Sequence, residues 1–87
     1  MKIYDMLISK DNYMKFMANQ LDNLKAYNVF AVEDLTQQQT FGLIQTLTNY
    51  SVRHGKTFAL LLPDDLEMRF AKRGITHFGK IYSRTAI

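Results

Sequence analysis

Cysteine is absent from the 87 residues of this chain. Without it the protein has no disulfide and no thiolate metal site, two devices that stabilise many small domains. The two histidines, His54 and His77, belong to no recognised ligand motif such as H-E-x-x-H. We therefore expect neither a metal ion nor another cofactor.

Long apolar runs are missing as well. The run at Phe58–Leu62 is far shorter than the roughly 20 residues that cross a bilayer. The first ten residues, MKIYDMLISK, carry Asp5 inside their apolar stretch and end in no small-residue cleavage site, so they make a poor signal peptide. The sequence predicts a soluble, cytoplasmic protein with no membrane partner.

Catalytic and phosphate-binding motifs are also lacking. The phosphate-loop patterns G-x-x-x-x-G-K-[ST] and G-x-G-x-x-G do not occur, and no serine stands in a G-x-S-x-G turn. The neighbouring acids Asp64 and Glu67 suit the start of a helix, where carboxylates cap free amides and face the positive end of the helix dipole. We expect a protein that is not an enzyme.

Glycine and proline are sparse, so they mark the chain clearly. Four glycines and Pro63 interrupt a composition that is 47 % hydrophobic and 22 % charged, which is typical of a folded domain. Thr36 with Gln39 fits a capping box, and Gly55 fits a left-handed cap, so they predict a helix over residues 37–54. Gly42, inside that helix, indicates close packing against another backbone.

Two further helices are predicted on either side of this one. The first covers about residues 12–26 after a cap at Ser9 or Asp11, and the last runs from Asp64 as N-cap to Gly74. In the first helix, helical spacing places four apolar residues on one stripe, which we interpret as the core face; these are Met14, Met17, Leu21 and Leu24.

Four strands complete the predicted fold. Residues 29–32 and 75–82 are short apolar candidates, and residues 2–8 suit either a strand or a first helical turn. Residues 56–62, KTFALLL, are apolar on both faces and predict a central, covered strand. The resulting order, βαβαβαβ, indicates a small α/β or α+β domain over residues 1–87, with three helices on a three- to four-stranded, mixed or parallel sheet. Its exposed edge favours a homodimer.

Charge is unevenly distributed along the chain. The net charge is +3, and residues 68–87 hold five cations and no acid. Cations that neutralise phosphates, with aromatic rings on which unpaired bases stack, are typical of proteins that bind single-stranded nucleic acid. We therefore predict RNA binding, in preference to duplex DNA, through these residues: Arg53, His54, Lys56, Arg69, Lys72, Arg73, His77, Lys80, Tyr82 and Arg84.

Several other interpretations stay open. Arg53, His54, Lys72 and Arg73 also suit the last turns of helices, where cations complement the dipole. A small basic protein without catalytic groups could instead be an inhibitor or adaptor that binds a host enzyme, as regulators and antagonists from phages and mobile elements do. Finally, KTFALLL, PDDLEMRFAKRG and THFGKIYSRTAI resemble the ribbon, first helix and second helix of ribbon-helix-helix proteins, which implies a DNA-binding regulator.

Overall fold

A computed structural model of the chain describes residues 4–19, 24–66 and 79–83. In chain order the elements are β1 (Met6–Ser9), α1 (Tyr13–Asn19), β2 (Tyr27–Glu33), α2 (Gln37–His54), β3 (Thr57–Leu62) and β4 (Gly79–Ser83). Residues 64–66 are helical as well. Strands and helices thus alternate in the predicted order, and the described ranges contain no helix that is long and apolar enough to cross a bilayer.

The four strands form one parallel sheet in the order β1-β2-β3-β4. Met6 pairs with Phe30, Phe30 with Leu60, and Leu60 with Ile81, so one row of side chains crosses all four strands. β3 lies inside the sheet, and its residues 58–62 are each at most 2 % exposed, which confirms the predicted central strand. β1 and β4 are the outer strands, the kind of edge through which the expected homodimer would pair.

Both α1 and α2 pack on the same face of the sheet. Phe16 of α1 meets Phe30 of β2 edge to face, with ring centroids 5.3 Å apart, and Phe30 stacks on Phe58 of β3 at 5.8 Å. From α2, three buried residues join this core, namely Leu43, Ile44 and Leu47. Parallel neighbouring strands are joined by crossover connections, and here both described crossover helices, α1 and α2, share one core with the sheet.

The ends of α2 lie where the sequence predicted. Thr36 Oγ1 accepts from the Gln39 amide at 3.0 Å, and Gln39 Oε1 accepts from the Thr36 amide at 3.0 Å. Gly55 ends the helix in the left-handed region, with φ 66°. Gly42 was interpreted wrongly: a Cβ there would meet the Tyr13 hydroxyl at 3.1 Å, which is a side chain and not a backbone.

α1 is shorter than predicted and begins differently. It covers Tyr13–Asn19, and residues 24–26 are not helical, so the expected end at residue 26 is wrong. Ser9 or Asp11 was predicted to cap the start of α1. Asn12 is instead the residue that precedes the helix, and its side chain makes the hydrogen bonds that join β1 to α1. Asn12 Oδ1 accepts from the Ser9 amide at 2.7 Å, and Asn12 Nδ2 donates to the Leu7 carbonyl at 2.8 Å.

The predicted core stripe of α1 is wrong at Met14 and omits Phe16, whereas its members Met17 and Leu24 do pack against the core. Met14 is 75 % exposed, whereas Phe16 is 1 % exposed and lies in the core. Tyr13 and Met17 flank Phe16 and pack against the core, as does Leu24 from outside the helix. The buried stripe is therefore Tyr13–Phe16–Met17; Leu21 lies outside the described residues.

The remaining strand and helix bounds differ in detail. β1 is a strand, β2 extends two residues before and one residue after the predicted 29–32, and β4 is described from Gly79. Asp64 lies within the helical residues 64–66, one position later than an N-cap, and its carboxylate accepts a hydrogen bond from the Ser83 hydroxyl. Glu67, Gly74 and residues 75–78 lie outside the described residues.

The resemblance to ribbon-helix-helix proteins does not extend to the fold. That fold needs an exposed β-ribbon and a second helix, but residues 57–62 form a buried parallel strand between β2 and β4. Residues 79–83 form a strand where the second helix is required. The implied DNA-reading ribbon is therefore wrong.

Asp5 ties the start of β1 to β2. Its carboxylate accepts from Lys25 Nζ at 2.9 Å and from the Val29 amide at 2.8 Å. The Lys25 hydrogen bond first, and then the Val29 amide, hold the pKa of the Asp5 carboxyl below its ordinary value of 3.8. A depressed carboxyl pKa gives stability that is present above the unfolded pKa and lost as the pH falls through the folded pKa.

We expect the contacts of the ionised Asp5 to contribute fully to the free energy of unfolding at pH 6. This contribution should be lost progressively as the pH falls below 3.8, the ordinary pKa of the carboxyl. The Asp5→Asn variant should lose less than about 1 kcal/mol of folding free energy at pH 6, because water screens an exposed ion pair. At pH 2.5 this loss should be much smaller. Urea unfolding at both pH values measures the difference. Asp11→Asn at an exposed site is the control, and an Asp5→Asn deficit that does not shrink in acid would contradict the assignment.

Candidate nucleic-acid interface at the amino edge of the sheet

All four strands are parallel, so their starts lie along one side of the sheet and their ends along the opposite side. These two sides differ chemically. We call the residues at the starts of the strands the amino edge (residues 4–6, 24–27, 53–57 and 79–80) and those at their ends the carboxyl edge (residues 9–11, 33–36, 62–65 and 83). The amino edge carries Lys25, Arg53, Lys56, Lys80 and His54, with a single acid, Asp5. The carboxyl edge carries one cation, Lys10, and five acids: Asp11, Glu33, Asp34, Asp64 and Asp65.

The charge of the described residues therefore divides along the strand direction. The one acid of the amino edge, Asp5, is paired with Lys25, so Arg53, Lys56 and Lys80 face no acid within that edge. A polyanion is attracted to such an edge and repelled by the opposite one, and this orients its approach.

A groove between α1 and α2 opens at the amino edge; we call it the helix groove. Its volume is about 410 Å³, and α2 contributes residues spaced three or four apart along one face. The His54 ring lies against the Tyr50 ring, with centroids 4.3 Å apart and planes tilted by 38°. The lining residues are Met17, Ala18, Thr46, Asn49, Tyr50, Arg53 and His54.

Lys56 stands beside this groove and is held by two contacts. Its Nζ donates to the Leu24 carbonyl oxygen and lies 5.9 Å from the centroid of the Tyr50 ring, within the range of a cation–π interaction. The amide of Thr57 donates to the Ala26 carbonyl at 2.9 Å. Lys56 thus contributes to the packing of the amino edge as well as to the positive charge of that edge.

A second groove lies on the sheet at the same edge; we call it the sheet groove. It has a volume of about 340 Å³ and is lined by Tyr27, Thr57, Phe58, Gly79, Lys80 and Tyr82. Lys80 and Tyr82 are two residues apart on β4, so their side chains share one face. Tyr27 is 54 % exposed and Tyr82 is 40 % exposed, so the groove that Lys80 lines also presents accessible tyrosine surface.

The start of β4 depends on Gly79. Its φ is 151°, and a Cβ there would lie 1.9 Å from the Phe58 carbonyl oxygen. Only glycine accepts this backbone angle and this close approach. Gly79 therefore sets the position from which Lys80 enters the sheet groove.

The structure groups five of the ten predicted site residues. Arg53 and His54 line the helix groove, Lys80 and Tyr82 line the sheet groove, and Lys56 lies at the start of β3. The other five lie outside the described residues: Arg69, Lys72, Arg73, His77 and Arg84.

Sequence reasoning missed Tyr27 and Tyr50. Tyr50 was not among the predicted site residues, yet it lines the helix groove. Tyr27 begins β2 and pairs with Thr57 of β3 in the sheet. Its place in the groove that Lys80 also lines depends on how the strands assemble, and no local sequence signal marks it.

The comparisons with known proteins add no relative. The chain matches no protein-family model, no curated protein and no solved structure. Among residues 4–19, 24–66 and 79–83, no three histidine or acidic side chains are grouped to hold a metal ion. The interface is therefore interpreted from its own geometry.

Proposed function

We propose that the protein binds single-stranded RNA through the amino edge of its sheet, without catalysing a reaction on it. The observation that carries this proposal is the pair of grooves at one edge, each with a cation beside exposed or half-buried tyrosine or histidine rings. Cations attract the phosphates, and aromatic rings stack on unpaired bases. The acids at the opposite edge favour one orientation of the protein on the strand.

An unpaired strand suits these grooves better than a duplex. Duplex DNA is read by a helix or ribbon that enters the major groove with several polar side chains. In α2, cations stand only in the last turn, at Arg53, with His54 beside it, and Lys80 lies on a sheet strand. Bases splayed out of a single strand can enter concave sites such as these.

We expect the Lys80→Ala and Tyr82→Ala variants to weaken RNA binding in two different ways. Loss of the Lys80 charge should reduce the slope of log affinity against log salt by about 0.7, which is the value for one phosphate contact on a single strand. Loss of the Tyr82 ring should cost about 1–3 kcal/mol of stacking and leave the slope unchanged. Fluorescence anisotropy with a labelled, unstructured RNA over a salt series measures both effects.

Lys10→Ala is the matched control, because it removes one exposed lysine from the carboxyl edge. It should bind RNA as the wild type does. Wild-type protein that binds no RNA at 50 mM salt would refute the proposal. In that case, a partner protein retained from lysate after nuclease treatment would favour the alternative function, inhibition or redirection of a host enzyme.

A further inference from the structure

One short stretch of chain joins the two grooves. His54 lines the helix groove, Thr57 lines the sheet groove, and only Gly55 and Lys56 lie between them. Three residues of chain span at most about 10–11 Å. Tyr27, Lys80 and Tyr82 alternate along their strands with core residues, so the sheet groove lies on the face of the sheet opposite α1 and α2. Gly55 and Lys56 therefore form the rim that separates the two grooves at the amino edge.

The surface between the grooves is low and open. Gly55 is exposed, and a Cβ placed on it would find no heavy atom within 4 Å beyond its chain neighbours. Lys56 follows Gly55 in the chain, and its ammonium donates to the Leu24 carbonyl. A phosphate backbone can thus pass close to the Gly55 main chain and beside a cation.

The two grooves offer the same kinds of group. The helix groove combines Arg53, the His54–Tyr50 ring pair and the amide of Asn49. The sheet groove combines Lys80 with two tyrosine rings and the Thr57 hydroxyl. Each set can hold one base against a ring, hydrogen-bond its edge and neutralise a neighbouring phosphate.

We infer that the two grooves are subsites of one continuous track, which holds two bases of the same RNA strand while its backbone crosses Gly55. This inference rests on the proposed function and adds the path of the strand and the minimum length of the ligand. Because the second base binds as part of a strand that is already held, its subsite raises affinity without a second association from solution.

The test is a length series with two double variants. The probes are oligouridines from about two to about sixteen nucleotides long, which extends through the site sizes of about 4–16 nucleotides that single-strand-binding folds occupy. The Arg53→Ala/His54→Ala variant removes the cation and the imidazole ring from the helix groove. The Lys80→Ala/Tyr82→Ala variant removes the cation and one tyrosine ring from the sheet groove. Wild-type affinity should rise at least about tenfold between two and six nucleotides. Each double variant should retain dinucleotide binding and lose this rise.

Other outcomes of this experiment distinguish failure of the track from failure of the proposed RNA binding. If Arg53→Ala/His54→Ala follows the wild type at every length while Lys80→Ala/Tyr82→Ala loses binding, the sheet groove alone is the site and the track is refuted. Wild-type protein that binds no oligouridine overturns the proposed function itself. Circular dichroism confirms folding, and Asn49→Ala, at an exposed site in the helix groove, repeats the test if the first double variant unfolds.

Discussion

The Gly79→Ala variant is expected to lose at least about 3 kcal/mol of folding free energy. A Cβ at this position would lie 1.9 Å from the Phe58 carbonyl oxygen, and φ is 151°. Backbone strain of this type costs about 1–3 kcal/mol on its own. Relief of the clash also requires β4 to move away from β3, and the bonds between these strands are then weakened. A loss of this size is a large part of the roughly 5–15 kcal/mol that holds a small domain folded.

Chemical denaturation with circular dichroism measures this loss. Gly42→Ala is the matched control, because it adds the same methyl group inside α2. Its new Cβ meets only the Tyr13 hydroxyl, at 3.1 Å, and alanine favours the helix by about 1 kcal/mol, so its stability should stay within about 1 kcal/mol of wild type. Equal midpoints for Gly79→Ala and the wild type would show that β4 does not begin as described.

The elements that could be predicted from sequence are those with local signals. α2 is marked at both ends, by the Thr36–Gln39 capping box and by Gly55, and its observed bounds agree with the prediction. β3 is marked by an apolar run with no polar face, which only an interior strand can bury. These markers, together with the shorter apolar runs on either side, also predicted the order of elements and the buried interior of the sheet.

The candidate interface depends on long-range pairing and could be predicted only in part. Arg53, His54, Lys80 and Tyr82 were selected because they lie in the basic half of the chain, and each of them lines a groove. The division of charge between the amino edge and the carboxyl edge could not be predicted from the sequence, because it depends on the direction in which each strand runs. The sheet groove combines β2, β3 and β4, so its lining is set by register.

The error in α1 has a different cause. The segment Tyr13–Asn19, YMKFMAN, holds four large apolar residues in seven, so more than one stripe has helical spacing. Met14–Met17–Leu21 and Tyr13–Phe16–Met17 both fit a periodicity of three to four. The ring of Phe30, which contacts Phe16, determines which stripe is buried, and that contact joins residues 14 positions apart.

A pair of alanine substitutions distinguishes the two stripes. We expect Phe16→Ala to cost about 3–5 kcal/mol, the usual range for a buried phenylalanine. Phe16 is 1 % exposed, and its removal takes away the edge-to-face contact with Phe30 and leaves a cavity between α1 and the sheet. Met14→Ala, two residues earlier in the same helix, should change stability by less than about 0.5 kcal/mol, because Met14 is 75 % exposed.

Denaturant unfolding of both variants at neutral pH provides the measurement, with tyrosine fluorescence and circular dichroism as independent probes of one transition. Should Phe16→Ala prove too unstable to purify, Phe16→Leu keeps most of the apolar volume and should cost less than Phe16→Ala while remaining clearly below wild type. The opposite ranking, with Met14→Ala more damaging than Phe16→Ala, would show that α1 presents Met14 to the core. The α1 side of the helix groove, and with it the proposed RNA track, would then have to be redrawn, because α1 would turn a different face toward the core.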